Sequence, residues 1–231
     1  AMFPEDADET NDLLKAADIA MFHAKKHSSD SYQFFRQEMN HKIQRKLQLE
    51  SDLKLAFEDD KFINYYQPII CVITQKTLGF EVLLRWPDNG RMVSPSEFIP
   101  AAESTGLIKK ITLATLQRAL KDLSDWLTVL PECYLSVNLS AKDFENPQLF
   151  SCISSLINEY DIKPKHLVFE ITETVLMHDS EKALECMQQL KSFGCKIYLD
   201  DFGTGYSSLT YLKKFPIDVL KIDQSFVKDI G

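Results

Sequence analysis

Residues Phe62–Trp86 read FINYYQPIICVITQKTLGFEVLLRW: two runs rich in β-branched and aromatic residues, 62–70 and 77–86, joined only by Cys71–Lys76. A parallel crossover takes about a dozen residues or more, so these two strands must pair antiparallel. Downstream the pattern changes to strands alternating with helices. CYLSVNL (133–139), HLVFEIT (166–172), CKIYLD (195–200) and IDVLKID (217–223) read as further strands. SPSE at Ser94–Glu97 is a capping box with Pro at the first helical position, and a helix over 107–127 follows. Another helix starts at Asp179 or Ser180 and stops at Gly194. Repeated βα units imply a parallel sheet, open or closed into a barrel, here with its first strand reversed.

Upstream of that frame the chain differs. Residues 10–26 carry Leu13, Leu14, Ala17, Ala20, Met21 and Ala24 at helical spacing, and YQFF at 32–35 reads as a short strand. The stretch 37–58 contains neither Gly nor Pro and predicts a connecting helix. The expected division is therefore 1–36, 37–58 and 59–231.

Composition narrows the function. With 45% apolar and 26% charged residues in 231, the chain has the make-up of an ordinary globular protein. A formal net charge of −8 argues against duplex nucleic acid as a partner, because that footprint needs clustered Lys and Arg. The five cysteines, 71, 133, 152, 186 and 195, include no C-x-x-C pair and read as buried thiols in a reducing, cytoplasmic compartment. No apolar run is long enough to span a bilayer, so no membrane contact is expected from this segment.

The acids give the chemistry. Side chains alternate along a strand, so Glu81, Leu83 and Arg85 share one face and Phe80, Val82 and Leu84 the other. By the same parity Asn138, Glu170 and Asp200 close apolar runs, and Asp201 joins them because its strand stops at Asp200. Taken alone, LDDFGTG is ordinary turn chemistry, Asp capping its own backbone before Gly. Set together at the C-terminal ends of barrel strands, however, Glu81, Asn138, Glu170, Asp200 and Asp201 form an oxygen-only group whose repulsion a hard cation relieves. Mg²⁺ or Mn²⁺ fits such ligands, and an adjacent Asp pair suits two ions. Lys221 in VLKID sits at a similar depth. Another metal-dependent barrel enzyme acting on a small phosphate ester is also compatible with these residues.

FEVLLRW, NLSA, FEITET, LDDFGTGYSSL and FPIDVLKIDQSFV follow one another in the order seen in the EAL-domain family, which this chain resembles from residue 37 onward. The resemblance implies a TIM-like (β/α) barrel with an antiparallel first strand, and hydrolysis of cyclic di-GMP to the linear dinucleotide in bacterial signalling. A receptor that binds cyclic di-GMP without hydrolysis is the alternative. It implies that Glu81, Asn138, Glu170, Asp200 and Asp201 hold metal, with Asp200 bridging two ions, and that Lys221 contacts the attacking water or a phosphate oxygen. Gln67 and Arg85 match positions that hold the dinucleotide, and Glu173 one that shapes a neighbouring loop in support of catalysis. The signature triplet reads Glu81-Val82-Leu83, where Ala would be usual. By the same resemblance 1–36 is similar to the C-terminal tail of a GGDEF diguanylate cyclase domain. The chain is expected to break off before the barrel's last strands, with an open edge free to pair in a homodimer.

Overall fold

The computed structural model describes residues 1–26, 32–178, 180–203 and 213–228. The chain divides into two compact units, Ala1–Leu55 and Ala56–Gly231.

The first unit contains α1 (Thr10–Lys26) and most of α2 (Gln37–Glu58). In α1 the buried positions are Ala16, Ala20 and Ala24, an i, i+4 stripe, while Leu14 and Met21 are exposed. The apolar face is thus turned from the one that the larger side chains suggest. The stretch 32–35 is not a strand: its backbone is irregular, with Tyr32 and Phe34 exposed and their rings in edge contact at 5.8 Å. A strand is held by a hydrogen-bonded neighbour, and propensity alone does not supply one.

In the second unit seven strands form one sheet among the described residues: β1 (Ile63–Ile70), β2 (Thr77–Asp88), β3 (Arg91–Val93), β4 (Tyr134–Asn138), β5 (Leu167–Thr172), β6 (Lys196–Phe202) and β7 (Val219–Ile222). Their order is β1-β2-β4-β5-β6-β7, with β3 folded back on β2. β1 pairs antiparallel with β2, Gln67 opposite Glu81, and every later neighbour along the path is parallel. This is the barrel-type α/β architecture with a reversed first strand.

The helices that follow are α3 (Pro95–Thr105), α4 (Ile108–Trp126), α5 (Ala141–Phe144), α6 (Leu149–Glu159), α7 (Glu173–His178), α8 (Ser180–Phe193) and α9 (Ser225–Lys228). Pro95 opens α3 as expected, yet the capping box does not form. The Ser94 hydroxyl makes no cap bond and lies 2.7 Å from the Ser96 hydroxyl, which draws it away from the helix end. Gly194, at φ +113°, ends α8 where a side-chain-bearing residue would be strained.

The core lies between the sheet's outer face and the helices. Val82, Val137, Phe169, Ile171, Ile197 and Leu199 pack with Leu116, Leu120 and Leu123 of α4, Ile153 and Ile157 of α6, and Met187 and Leu190 of α8. Each such side chain contributes roughly 1.5–3 kcal/mol relative to exposure. The inner face carries the polar residues. There Gly79 lets β2 approach β4, for a Cβ on it would lie 2.3 Å from the Tyr134 carbonyl oxygen.

The cysteines are free, and only Cys133 and Cys195 are fully buried. Burial pushes the Cys195 thiol up to about 12 and the Cys186 thiol to about 11, whereas bonds from Thr74 and its backbone lower that of Cys71. Cys71 is therefore expected to react first with a thiol reagent at pH 8, and Cys195 only after unfolding. Peptide mapping after brief alkylation checks this, and early labelling of Cys195 would contradict the packing described.

Candidate active site

The inward parity of four strands brings the expected acids together. Glu81 pairs in register with Ser136, Asn138 with Glu170, and Thr172 with Asp200, so adjacent parallel strands stack these side chains on one face. Carboxylate oxygens of Glu81, Glu170 and Asp200 lie within 4.8 Å of one another. Lys221, inward-facing on β7, donates from Nζ to all three: 2.6 Å to Glu170 Oε2, 3.1 Å to Asp200 Oδ2 and 3.3 Å to Glu81 Oε2.

The second oxygens are also engaged. Ser136 Oγ donates to Glu170 Oε1 at 2.5 Å, Asn138 Nδ2 to Glu81 Oε1 at 3.1 Å, and the Asp201 amide to Asp200 Oδ1 at 3.0 Å. Burial raises the Glu170 carboxyl above its ordinary range, although the bonds from Lys221 and Ser136 pull it down. Burial also works against the charge on Lys221, but Glu170, Glu81 and Asp200 outweigh it and hold the ammonium above the usual lysine value. One cation among three carboxylates leaves two negative charges unbalanced when all three are ionised.

The backbone at Asp201 differs from the one expected. The strand does not end at Asp200: β6 runs to Phe202, its pairing with β7 slips between Leu199 and Phe202, and Asp201 takes φ +54°. Asp tolerates this left-handed conformation better than most residues, and such a bulge breaks the alternation that would otherwise aim Asp201 into the core. Its carboxyl is exposed and is not one of the three that lie within 4.8 Å of one another. It is nevertheless raised by partial burial and by Asp200 and Asp223 nearby.

The remaining candidates are placed as follows. Gln67 is exposed across the hairpin from Glu81, and the Arg85 guanidinium lies 5.4 Å from the Tyr65 ring centroid and donates to the Leu84 carbonyl at 2.9 Å. Glu173 opens α7 and is buried, and among the described residues its Oε2 has no hydrogen-bond partner. Val82 is on the opposite face in the helix-packed core.

Two features escaped the reading of the sequence. A cavity of about 580 Å³ runs from Arg85 and Asn138 toward Ile108, Thr112, Glu103 and Asp143. Burial raises both of these carboxyls, and for Glu103 the charge of Asp143 adds to it. No spacing in the sequence announces it, because its walls come from β2, β4 and β5 together with α3, α4, α5 and α7. The second is Ser136, two residues before Asn138 and therefore on the same face; that parity was the available signal.

Comparison with known proteins bears on the family and the fold. The EAL domain family model matches residues 50–231. The bifunctional diguanylate cyclase/cyclic di-GMP phosphodiesterase MucR of Pseudomonas aeruginosa is 38% identical over 234 residues, 100% of this chain and 34% of that protein. The cyclic di-GMP phosphodiesterase PdeR of Escherichia coli is 33% identical over 232 residues, again 100% of this chain and 35% of its own length. The chain thus spans about a third of these relatives. Among solved structures, the PaMucR phosphodiesterase in its c-di-GMP complex superposes with a TM-score of 0.74 at 37% identity, covering 79% of this chain and 75% of the other. With the family model matching residues 50–231 and such relatives covering the whole of it, the chain belongs to the EAL domain family.

Proposed function

We propose that this chain hydrolyses cyclic di-GMP to the linear dinucleotide with the help of divalent cations, two ions of Mg²⁺ or Mn²⁺. The observation that carries the reading is the cluster of Glu81, Glu170 and Asp200 around the Lys221 ammonium. Its relatives add support, among them proteins named as cyclic di-GMP phosphodiesterases. The donor set suits a hard cation: every atom offered is oxygen, and the charge is not balanced from within. Glu81, Asn138, Glu170, Asp200 and Asp201 would hold the ions. When bound, such ions polarise a phosphate oxygen and make a water more acidic.

The chain's own groups do the rest. Lys221, held protonated, gives a proton donor to a phosphate oxygen or to the attacking water. Asp201, raised and exposed, is placed to take up a proton from that water. Arg85 offers its guanidinium fork to a phosphate, and Gln67 an amide from across the hairpin. Glu173 supports a neighbouring loop. Residues 1–36 we read as the tail of a GGDEF domain, 37–58 as a connecting helix and 59–231 as EAL domain, in a cytoplasmic protein. Among the described residues no helix is long and apolar enough to cross a membrane.

A thermal scan with added Mn²⁺ or Mg²⁺ is the first test. At a concentration a hundredfold above Kd, the ion stabilises the folded chain by about 2.7 kcal/mol. That corresponds to roughly 5–10 °C in Tm for a domain of this size. No shift at millimolar metal would remove the reading. Chromatographic assay of cyclic di-GMP then separates the two activities: binding without turnover would make the chain a receptor.

A further inference from the structure

We infer that Ser136 is a positioning residue that fixes the Glu170 carboxylate for cation binding; this rests on the reading above that the acid cluster holds a divalent ion. Ser136 is fully buried, with 0% of its surface exposed. Its side chain faces inward on β4, in register with Glu81 on β2 and Val168 on β5. From there its hydroxyl donates to Glu170 Oε1 at 2.5 Å, while Glu170 Oε2 accepts from Lys221 at 2.6 Å. The two oxygens of one carboxylate are thereby given different tasks. Oε1 is tied to the barrel floor, and Oε2 is the oxygen presented to the cluster.

A carboxylate rotates about its last torsion over a broad, roughly two-fold well, so nothing within Glu170 itself chooses the orientation. Glu170 is almost fully buried, and water cannot stand in for a lost donor at Oε1. Without the Ser136 hydroxyl that oxygen would be a buried acceptor with no partner, and turning toward Lys221 would be its remedy. Such a turn takes both oxygens out of the arrangement that the other ligands require. Partners of metal-binding carboxylates typically cost about 10–100-fold in metal affinity when removed.

Three chains decide the matter: the parent, Ser136→Ala and Val168→Ala. Val168 occupies the same inward layer and is equally buried, but has no polar group to offer Glu170. Mn²⁺ affinity is measured by titration against the free-ion EPR signal, with Tm in chelator as the record of folding. Ser136→Ala is expected to bind Mn²⁺ about tenfold more weakly, whatever Tm it loses in chelator. Val168→Ala is expected to melt lower while keeping Mn²⁺ affinity within about twofold of the parent, since it loosens the layer without touching the bond. At fixed low metal, Ser136→Ala should lose kcat and recover it as Mn²⁺ is raised, with KM for cyclic di-GMP unchanged. Affinity unchanged in Ser136→Ala, or lost equally in both variants, overturns the role of the hydroxyl while leaving the metal site standing. A parent chain that binds no Mn²⁺ overturns both, and the two failures are thereby told apart.

Discussion

Asp200→Asn is expected to lower cyclic di-GMP turnover by about three orders of magnitude, a loss of about 4 kcal/mol in transition-state stabilisation. The substitution keeps the shape of the side chain and removes its charge. Asp200 Oδ2 lies 3.1 Å from Lys221 and within the three-acid cluster, so the change also halves the acid pair at the end of β6. Val82→Ala is the matched control. Val82 is buried on the far side of β2 among the helices, next in sequence to Glu81 yet pointing away from it. Its truncation is expected to cost about 1–2 kcal/mol of stability and to leave turnover within about threefold. Turnover at saturating substrate, with Tm for both variants, makes the comparison. Equal loss from the two would mean that strand parity does not separate site from core.

Lys221→Met is expected to act on stability as well as on activity. Removing one partner of a fully buried ion pair costs about 3–5 kcal/mol, because the remaining charges are stranded. The Lys221 side chain keeps 28% of its surface exposed, and solvent screening brings the expected loss to about 2 kcal/mol. In chelator, that is a fall of roughly 4–8 °C in Tm. Millimolar Mn²⁺ should restore most of it, since a bound cation supplies the missing positive charge, while hydrolysis stays depressed by about a hundredfold or more for want of the proton donor. Paired melting curves and a turnover assay give both quantities. A fall in Tm of equal size with and without Mn²⁺ would show that the ammonium and the cation do not serve the same charges.

The sequence exposed the parts of this molecule that depend on periodicity. Alternation along β2, β4, β5 and β6 was enough to place Glu81, Asn138, Glu170 and Asp200 on one face, and loop length was enough to reverse β1. Features that depend on particular partners were not legible. YQFF at 32–35 has strand-forming residues and no strand beside it. Ser94 has capping chemistry, but Ser96 competes for its hydroxyl. Asp201 sits at a bulge, and bulges follow from backbone tolerance at one residue rather than from any repeating pattern. The cavity beside Arg85 is assembled from strands and helices distant in sequence, so no local motif could announce it.

The reversed first strand bears on how the barrel is assembled in time. β1 and β2 meet after a six-residue connection, whereas β2 meets β4 only after residues 89–133 have been looped out. Loop-closure entropy grows with length, so the hairpin is the cheaper pairing to form and does not wait for any crossover. Hairpins close in about 1–10 μs, early on the scale of a parallel sheet. Gln67 and Glu81 face each other across that hairpin. One edge of the site is consequently laid down by a local event, and the parallel strands carrying Glu170, Asp200 and Lys221 are added to a template that already holds the first acid in place.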